Sequence, residues 1–155
     1  MSRVKEINRS SKHRKRNPYY PDEGDQIWCV FDRDENTDEM LKRAETLAGK
    51  NGYHIAYSNP AFELWFLLHF VNQTTELTDC NAVIRQLKQK GRLENYKKSQ
   101  DIYSILLEKQ PEAIKRSENR IAELHSKNQE ILVRKSNPVT TVSELVKYLN
   151  QHRGS

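Results

Sequence analysis

The feature that most constrains this fold is a short apolar run that ends in a dense acidic group. Ile27–Phe31 is continuous and rich in β-forming residues, and Asp32–Arg33–Asp34–Glu35 follows it directly. Strands buried on both faces of a parallel sheet have such a composition. We therefore expect a strand over Gln26–Phe31 that is buried on both faces, with Asp32 at its carboxyl end.

The residues that follow predict a strand–helix–strand–helix unit. Asn36–Glu39 has the form of a capping box, with an N-cap side chain and a glutamate three residues later. Apolar residues then recur at helical spacing as far as Gly52, which suits a helix C-terminus. A second strand is expected over Tyr53–Tyr57. Asn59 and Pro60 are expected to cap and begin a buried helix over Ala61–Phe70. Such crossovers join parallel strands, so the expected fold class is α/β with a parallel-sheet core.

The C-terminal half is expected to be helical. Residues 137–141 are interpreted as a structural cap for the last helix. Residues 1–24 are expected to be a basic leader, polar and helical or frayed over 1–16, followed by a loop. Residues 25–155 are expected to form one domain with a helical C-terminal extension. The amphipathic segments behind this prediction are Asn81–Lys90, Asp101–Lys109, Glu112–Lys127 and Val142–Gln151.

Charge is concentrated at the N-terminus of this 155-residue chain, whose formal net charge is +5. Such a segment attracts a phosphate-rich partner, although a solvated terminus is the alternative. No apolar stretch approaches the roughly 18–20 residues of a membrane span, and the two cysteines form no CxxC motif. A cytoplasmic protein without membrane attachment is expected. The basic residues before position 17 are Arg3, Lys5, Arg9, Lys12, Arg14, Lys15 and Arg16, against the single acid Glu6.

The carboxyl ends of parallel strands share one edge of a sheet, where ligands bind. This topology brings Asp32, Asp34, Asn59 and Glu63 to the same side. Mg²⁺, or Mn²⁺, suits one or two carboxylates and takes its other ligands from water and phosphate. Asp32 and Asp34 are the candidate metal ligands, with Glu35 and Asn59 in support. A turn or a helix cap is the alternative explanation for such residues.

Other polar residues also allow two interpretations. Glu63 within an apolar helix suits proton transfer, or it stabilises a helix N-terminus. His69 in the same helix is a candidate ligand, although a hydrogen-bonded core histidine is the favoured interpretation. Tyr96 and Lys97 follow a basic segment, where they can stack on a base and contact phosphate. A solvated helix end is the favoured alternative there.

Two long motifs resemble the RloB-like family. These are Trp28–Glu35 and Tyr57–Trp65, the latter continuing through Leu68–Phe70. Tyr96 and Lys97 fit the family's Tyr-x-Lys region loosely, and Asn137–Thr141 with the final helix fits its C-terminal signature. The resemblance runs from about Asp25 to Leu149.

The resemblance implies a Toprim-like fold and magnesium-dependent phosphodiester chemistry. It places the Toprim Asp-x-Asp motif on Asp32 and Asp34. The family occurs beside restriction–modification genes and in bacterial anti-phage abortive-infection systems, often with an ATPase partner. The family's usual N-terminal strand and glutamate motif have no match before Gln26. The expectation is a shortened member or an absent N-terminal part, with strand-edge pairing in a homodimer as compensation.

Three functions follow as hypotheses. The first is a nuclease in which Asp32, Asp34 and Glu63 carry catalysis and Lys97 contacts phosphate. The second is a non-catalytic module that binds nucleic acid or a defence ATPase. The third and weakest is a receiver-like phosphotransferase, for which the sequence offers no lysine after a later strand.

Overall fold

The computed structural model of the protein describes residues 19–153, so the predictions for residues 1–16 lie outside the described chain. Single 3₁₀ turns cover Pro21–Glu23 and Leu107–Lys109. The helices and strands, in chain order, are β1 (Trp28–Asp32), α1 (Asp38–Asn51), β2 (His54–Asn59), α2 (Glu63–Leu67), α3 (Cys80–Leu87), α4 (Tyr103–Leu106), α5 (Gln110–Ser126), β3 (Val139–Thr140) and α6 (Val142–Gln151).

The predicted α/β class is confirmed, with one strand more than the sequence indicated. Strand β1 pairs in parallel with β2, and Asp32 lies opposite Ser58 in the register. Strand β3 then pairs with β2 in antiparallel orientation, which gives the order β1-β2-β3. The interpretation of residues 137–141 as a cap for the last helix therefore missed β3. Two residues are too short a strand to leave a periodic pattern in the sequence.

Burial of β1 on both faces was a wrong prediction. Val30, in the middle of the strand, keeps 49% of its surface exposed. Strand β1 forms an edge of the described sheet, whereas β2 has a neighbour on each side and is buried from Ala56 to Asn59. An apolar run thus located the strand correctly but did not distinguish an edge position from a central one.

Helix α1 begins one residue later than the capping-box pattern suggested. The N-cap is Thr37, whose hydroxyl accepts a hydrogen bond from the Met40 backbone N–H. Asn36 instead uses its side-chain amide to donate to the Asp32 carbonyl at 3.0 Å. The predicted end is confirmed, since Gly52 adopts the left-handed conformation with φ of 67°.

The chain after β2 turns in an unexpected way. Asn59 does not cap a helix at Pro60, because α2 begins only at Glu63 and its N-cap is Phe62. The peptide bond between Asn59 and Pro60 is cis. Tight i→i−3 hydrogen bonds at Leu64 and His69 flank the short helix and keep the surrounding backbone coiled. The expected burial of this segment is confirmed for its apolar side chains, among them Leu64, Trp65, Leu67 and Leu68.

The C-terminal half is helical, as expected. The last predicted helix, Val142–Gln151, agrees with α6 at both ends. Two others, α3 and α5, differ from prediction by one to three residues, while Asp101–Lys109 contains the shorter α4 and a 3₁₀ turn. No helix in residues 19–153 has the length and apolar character needed to cross a membrane.

Two apolar clusters cover the two faces of the sheet. One joins Ala56 of β2 to helices α2 and α3 and to Val142 at the start of α6. The other joins Tyr57 of β2 to Leu41 of α1 and Leu124 of α5. Because neighbouring strand residues face opposite sides, β2 contributes to both clusters and forms the centre of the fold.

Candidate functional site

The backbone at the end of β1 is held in place by its neighbours. The Arg33 N–H donates to the Ser58 carbonyl at 2.8 Å and so extends the parallel pairing beyond the strand. The Asn36 N–H donates to the Arg33 carbonyl at 2.8 Å and closes the turn. Asp32 is therefore presented at the carboxyl edge of the sheet, as the sequence predicted.

The Asp32 carboxyl group is half-buried between charged neighbours. The Phe62 backbone N–H, at the beginning of the segment that leads into α2, lies close enough to favour its ionised form. Burial raises the pKa of Asp32, and the Glu63 and Asp34 carboxylates add to this effect, while the Phe62 N–H and the Lys98 ammonium oppose it. The two strand ends thus bring Asp32 into the electrostatic range of Glu63.

Asp34 lies in the turn with a left-handed backbone, φ 40°, a conformation that aspartate tolerates better than most residues. It is exposed, and its carbonyl accepts a 3.2 Å hydrogen bond from the Arg134 guanidinium. Asp32 and Asp34 both line an open cavity of about 440 Å³, next to Phe62. Glu35, predicted in a supporting role, is exposed and lies outside that lining.

Glu63 lies in the first turn of α2 and is buried. Three donor groups surround its carboxylate. The Tyr96 hydroxyl lies 3.5 Å from Oε1, the Cys80 thiol 3.6 Å from Oε2, and the Lys98 ammonium 3.7 Å from Oε1. A phenol, a thiol and an ammonium, 17 to 35 residues along the chain from Glu63, are thereby brought to its carboxylate.

These groups influence one another's ionisation. Burial raises the pKa of Tyr96 to about 12, with Glu63 adding to the effect. Burial also raises the pKa of the Cys80 thiol, again with a contribution from Glu63. The Glu63 carboxylate raises the pKa of Lys98. At neutral pH the cluster thus holds a protonated phenol, a protonated thiol and a charged ammonium around Glu63.

The two neighbouring lysines differ from the sequence expectation. Lys98 reaches Glu63, whereas Lys97 is exposed and its carbonyl accepts a hydrogen bond from the Gln100 N–H. The Tyr96 ring is buried against Phe66 at a centroid distance of 6.0 Å, so it does not offer an exposed face for base stacking, which was the less favoured of the two interpretations. A sequence signal for Lys98 was overlooked, because a Tyr-x-Lys pattern that begins at Tyr96 ends at Lys98 and not at Lys97. No sequence signal pointed to Cys80.

Asn59 is fully buried and contacts a distant loop. Its side-chain amide lies within hydrogen-bond distance of three backbone carbonyls, those of Val133, Arg134 and Ser136, at 3.3, 3.0 and 2.8 Å. Its Oδ1 is buried without a hydrogen-bond partner among the described residues. Asn59 thus positions the loop whose Arg134 binds the Asp34 turn, which gives the predicted supporting residue an indirect connection to the acidic site.

His69 is a core histidine. Its Nδ1 lies 2.8 Å from the Trp65 carbonyl, and burial lowers its pKa. The ring packs edge-on against Trp65 at a centroid distance of 4.8 Å. The favoured interpretation of His69 as a hydrogen-bonded core residue agrees with this placement.

The donor set at the strand ends fits a hard divalent cation. Asp32 and Asp34 offer oxygen ligands beside an open cavity, and Mg²⁺ commonly uses one or two carboxylates and completes its shell with water and phosphate. Within residues 19–153, no group of three or more acidic, histidine or cysteine side chains forms a complete metal cage. A metal ion held by Asp32 and Asp34 would therefore take its remaining ligands from water or substrate.

A family model described as RloB-like protein matches residues 2–149. Since the match covers nearly the whole chain, the chain belongs to the RloB-like family. The matched region begins well before Asp25, where the resemblance of individual motifs starts. Neither a curated protein nor a solved structure gives a significant match.

Proposed function

We propose that this RloB-like protein is a metal-dependent nuclease of the Toprim-like type. The supporting observation is that Asp32 and Asp34 lie together at the carboxyl end of β1, with Glu63, in the helix after the adjacent parallel strand β2, within electrostatic range of Asp32. The Glu63 and Asp34 carboxylates add to the effect of burial in raising the pKa of Asp32, and a bound cation would relieve that repulsion. The open cavity beside Asp32 and Asp34 leaves space for a phosphodiester next to the same carboxylates.

Each residue has a separate role in the proposed site. Asp32 and Asp34 would hold the metal ion, which supplies a Lewis acid to polarise the phosphodiester and to neutralise its charge. Glu63, fixed in the first turn of α2, would accept or return a proton at the reacting oxygen. Tyr96 and Cys80 would keep the Glu63 carboxylate oriented.

The biological setting is inferred from family membership. We infer a part in bacterial anti-phage abortive infection, with a defence ATPase as the candidate protein partner and a cytoplasmic location. A homodimer formed through the β1 edge agrees with the exposure of Val30.

Cleavage assays test this function directly. The substrates are supercoiled plasmid, single-stranded DNA and single-stranded RNA, each with Mg²⁺, Mn²⁺ or a chelator. We expect metal-dependent cutting of at least one substrate. Asp32→Asn and Asp34→Asn should each lower the rate by about 10²-fold or more, because each removes charge that acts at the reacting phosphate.

Glu39→Gln is the matched control, because it also neutralises an exposed acid, in the first turn of α1. Its rate should stay within about twofold of wild type, since exposed surface charges contribute little. Cutting that survives the chelator, wild-type rates in Asp32→Asn, or no cutting of any substrate would contradict the nuclease proposal.

A non-catalytic nucleic-acid-binding module is the second candidate. The exposed basic residues between positions 85 and 98 favour it. Binding through phosphate should weaken steeply with salt, by a slope of about −0.7 per contact on single strands. Deleting residues 1–16 should flatten that slope. These exposed residues are Arg85, Lys88, Lys90, Lys97 and Lys98.

Fluorescence anisotropy with two unrelated oligonucleotides across a salt series measures this binding. Salt-independent affinity, or strong discrimination between the two sequences, would contradict binding through phosphate. Salt-dependent binding without metal-dependent cleavage would favour the module over the enzyme.

A further inference from the structure

The three groups around the Glu63 carboxylate differ in their freedom to move. Tyr96 is buried against Phe66, and Cys80 is half-buried at the start of α3. The Lys98 side chain is 68% exposed, compared with 9% for Glu63. Of the three, Lys98 is the group that can leave Glu63 without disturbing the core.

Two of the three contacts to Glu63 are long. The Tyr96 hydroxyl and the Lys98 ammonium lie 3.5 and 3.7 Å from Oε1, whereas an ammonium that hydrogen-bonds a carboxylate is ordinarily about 2.7–2.9 Å away. The 3.6 Å contact of the Cys80 thiol is ordinary for the larger sulfur atom. A buried carboxylate is costly unless a cation or several close donors compensate it. The geometry around Glu63 therefore leaves it able to gain from a cation that approaches more closely than Lys98 does.

Lys98 also lies close to the other acidic residues. It pairs with Glu63, and Phe62, the residue before Glu63, lines the same cavity as Asp32 and Asp34. One flexible cation thus offsets part of the repulsion among three carboxylates. When it moves away, the remaining negative charge favours a divalent ion at the same strand ends.

We propose that Lys98 is a resident counter-ion of Glu63, which gives way to a divalent cation and then binds the phosphate of the substrate. This inference rests on the proposed function, because it requires both the metal ion and the nucleic acid as ligands. It explains how a buried carboxylate remains compensated in the metal-free protein. Its consequence is a competition in which Lys98 weakens metal binding while nucleic acid is absent.

Mn²⁺ affinity without nucleic acid tests the competition, measured by calorimetry and by electron paramagnetic resonance. Lys98→Met should bind Mn²⁺ about fivefold more tightly than wild type, which converts to about 1 kcal/mol. Lys98→Arg keeps the positive charge and should stay within about twofold of wild type. Because the side chain is exposed, thermal melting should show an intact fold in both variants.

Two further lysine variants test whether the increase in Mn²⁺ affinity is specific to Lys98 or follows from the loss of any exposed lysine. Lys127→Met removes an exposed lysine paired with Glu123 at 2.7 Å, on a different part of the surface. Lys97→Met removes the same charge one residue away from Lys98. Both should leave Mn²⁺ affinity within about twofold of wild type, since exposed charges at a distance are screened. If Mn²⁺ affinity rose in Lys127→Met or Lys97→Met as much as in Lys98→Met, the counter-ion role of Lys98 would be overturned.

The second readout is oligonucleotide binding with Mn²⁺ at saturation. Lys98→Met should reduce the slope of log affinity against log salt by about 0.7, as one phosphate contact is lost from a single strand. Lys127→Met should retain the wild-type slope, and an unchanged slope in Lys98→Met would overturn the phosphate-binding step. Equal Mn²⁺ affinity in wild type and Lys98→Met would overturn the counter-ion role and leave the nuclease proposal standing. No Mn²⁺ binding in either protein would overturn both.

Discussion

The two strand-to-helix connections of the sheet have similar sequence patterns, but the first is exposed to solvent and the second is buried. After β1, the turn that carries Asp34 and Glu35 is exposed, and α1 buries only Leu41 and Ala48 of its described residues. After β2, the chain from Pro60 to His69 is almost entirely buried. The first connection is open to solvent and therefore accessible to a ligand, whereas the second holds the Glu63 carboxylate in a fixed position.

The two connections would therefore have different roles in the site, the first in ligand binding and the second in holding Glu63 in place. Asp32 and Asp34 line an open cavity, which is where the proposed cation and phosphate would bind. Glu63 depends on a packed helix and on Tyr96 for its position. Substitutions after β2 should therefore damage stability, while those after β1 should damage ligand binding and leave stability intact.

The largest expected effect is at Trp65, in the buried connection. Trp65→Ala should lower the free energy of unfolding by about 3–5 kcal/mol, the range for removing a large core side chain. Met40→Ala in the exposed α1 is the control and should cost less than about 1 kcal/mol. Chemical denaturation measures both. Similar losses in the two variants would remove the contrast between the connections.

The next effect compares two asparagines that each follow a strand. Asn59→Ala leaves three carbonyls of the 133–136 loop without the buried amide, and should cost about 2–4 kcal/mol. Asn36→Ala loses one half-buried hydrogen bond to the Asp32 carbonyl and should cost about 0.5–1.5 kcal/mol. Chemical denaturation measures both variants. A larger loss of unfolding free energy in Asn36→Ala than in Asn59→Ala would contradict the contrast between the two connections.

A smaller effect concerns pH and His69. Burial lowers the pKa of His69 in the folded protein, so the unfolded chain binds a proton first as the pH falls below about 6.5. Wild-type stability should therefore decline from that pH downward, by at most about 1.4 kcal/mol per pH unit from this residue. His69→Gln should flatten this part of the stability–pH curve.

His152→Gln is the control for that measurement. His152 is exposed and also places Nδ1 2.8 Å from the carbonyl four residues earlier, that of Tyr148. Denaturation at a series of pH values should give His152→Gln the wild-type slope. An unchanged slope in His69→Gln would mean that its protonation is not coupled to folding.

The same two connections show what the sequence predicts and where prediction stops. The β1 and β2 strands, the glycine that ends α1, and the position of Asp32 all follow from local patterns. The role of Asn59 does not, because its partners lie 74–77 residues away in the chain. Cys80 was missed for the same physical reason, because its contact with Glu63 depends on how α3 packs, which no short motif encodes. The Tyr-x-Lys spacing points to Lys98, but its contact with Glu63 depends on the packing of a segment 35 residues away.

The smallest expected change in stability is at the end of β1 itself, where Asp32 lies opposite Ser58 in the register. Burial raises the pKa of Asp32 in the folded protein, so its ionised form costs stability at neutral pH. Asp32→Asn removes that charge and should leave the free energy of unfolding unchanged or increase it by less than about 1 kcal/mol, since a half-exposed charge is partly screened.

Ser58→Ala is the matched change on the buried strand. It removes a fully buried hydroxyl that hydrogen-bonds the Thr140 hydroxyl at 2.8 Å, and it should cost about 1–3 kcal/mol. Chemical denaturation compares the two variants, and Mn²⁺ titration should show the reverse order of damage, with binding lost in Asp32→Asn and kept in Ser58→Ala. A loss of more than about 1 kcal/mol in Asp32→Asn would mean that the carboxylate is part of the structural framework. It would then no longer hold that the end of β1 contributes to ligand binding while the end of β2 contributes to stability.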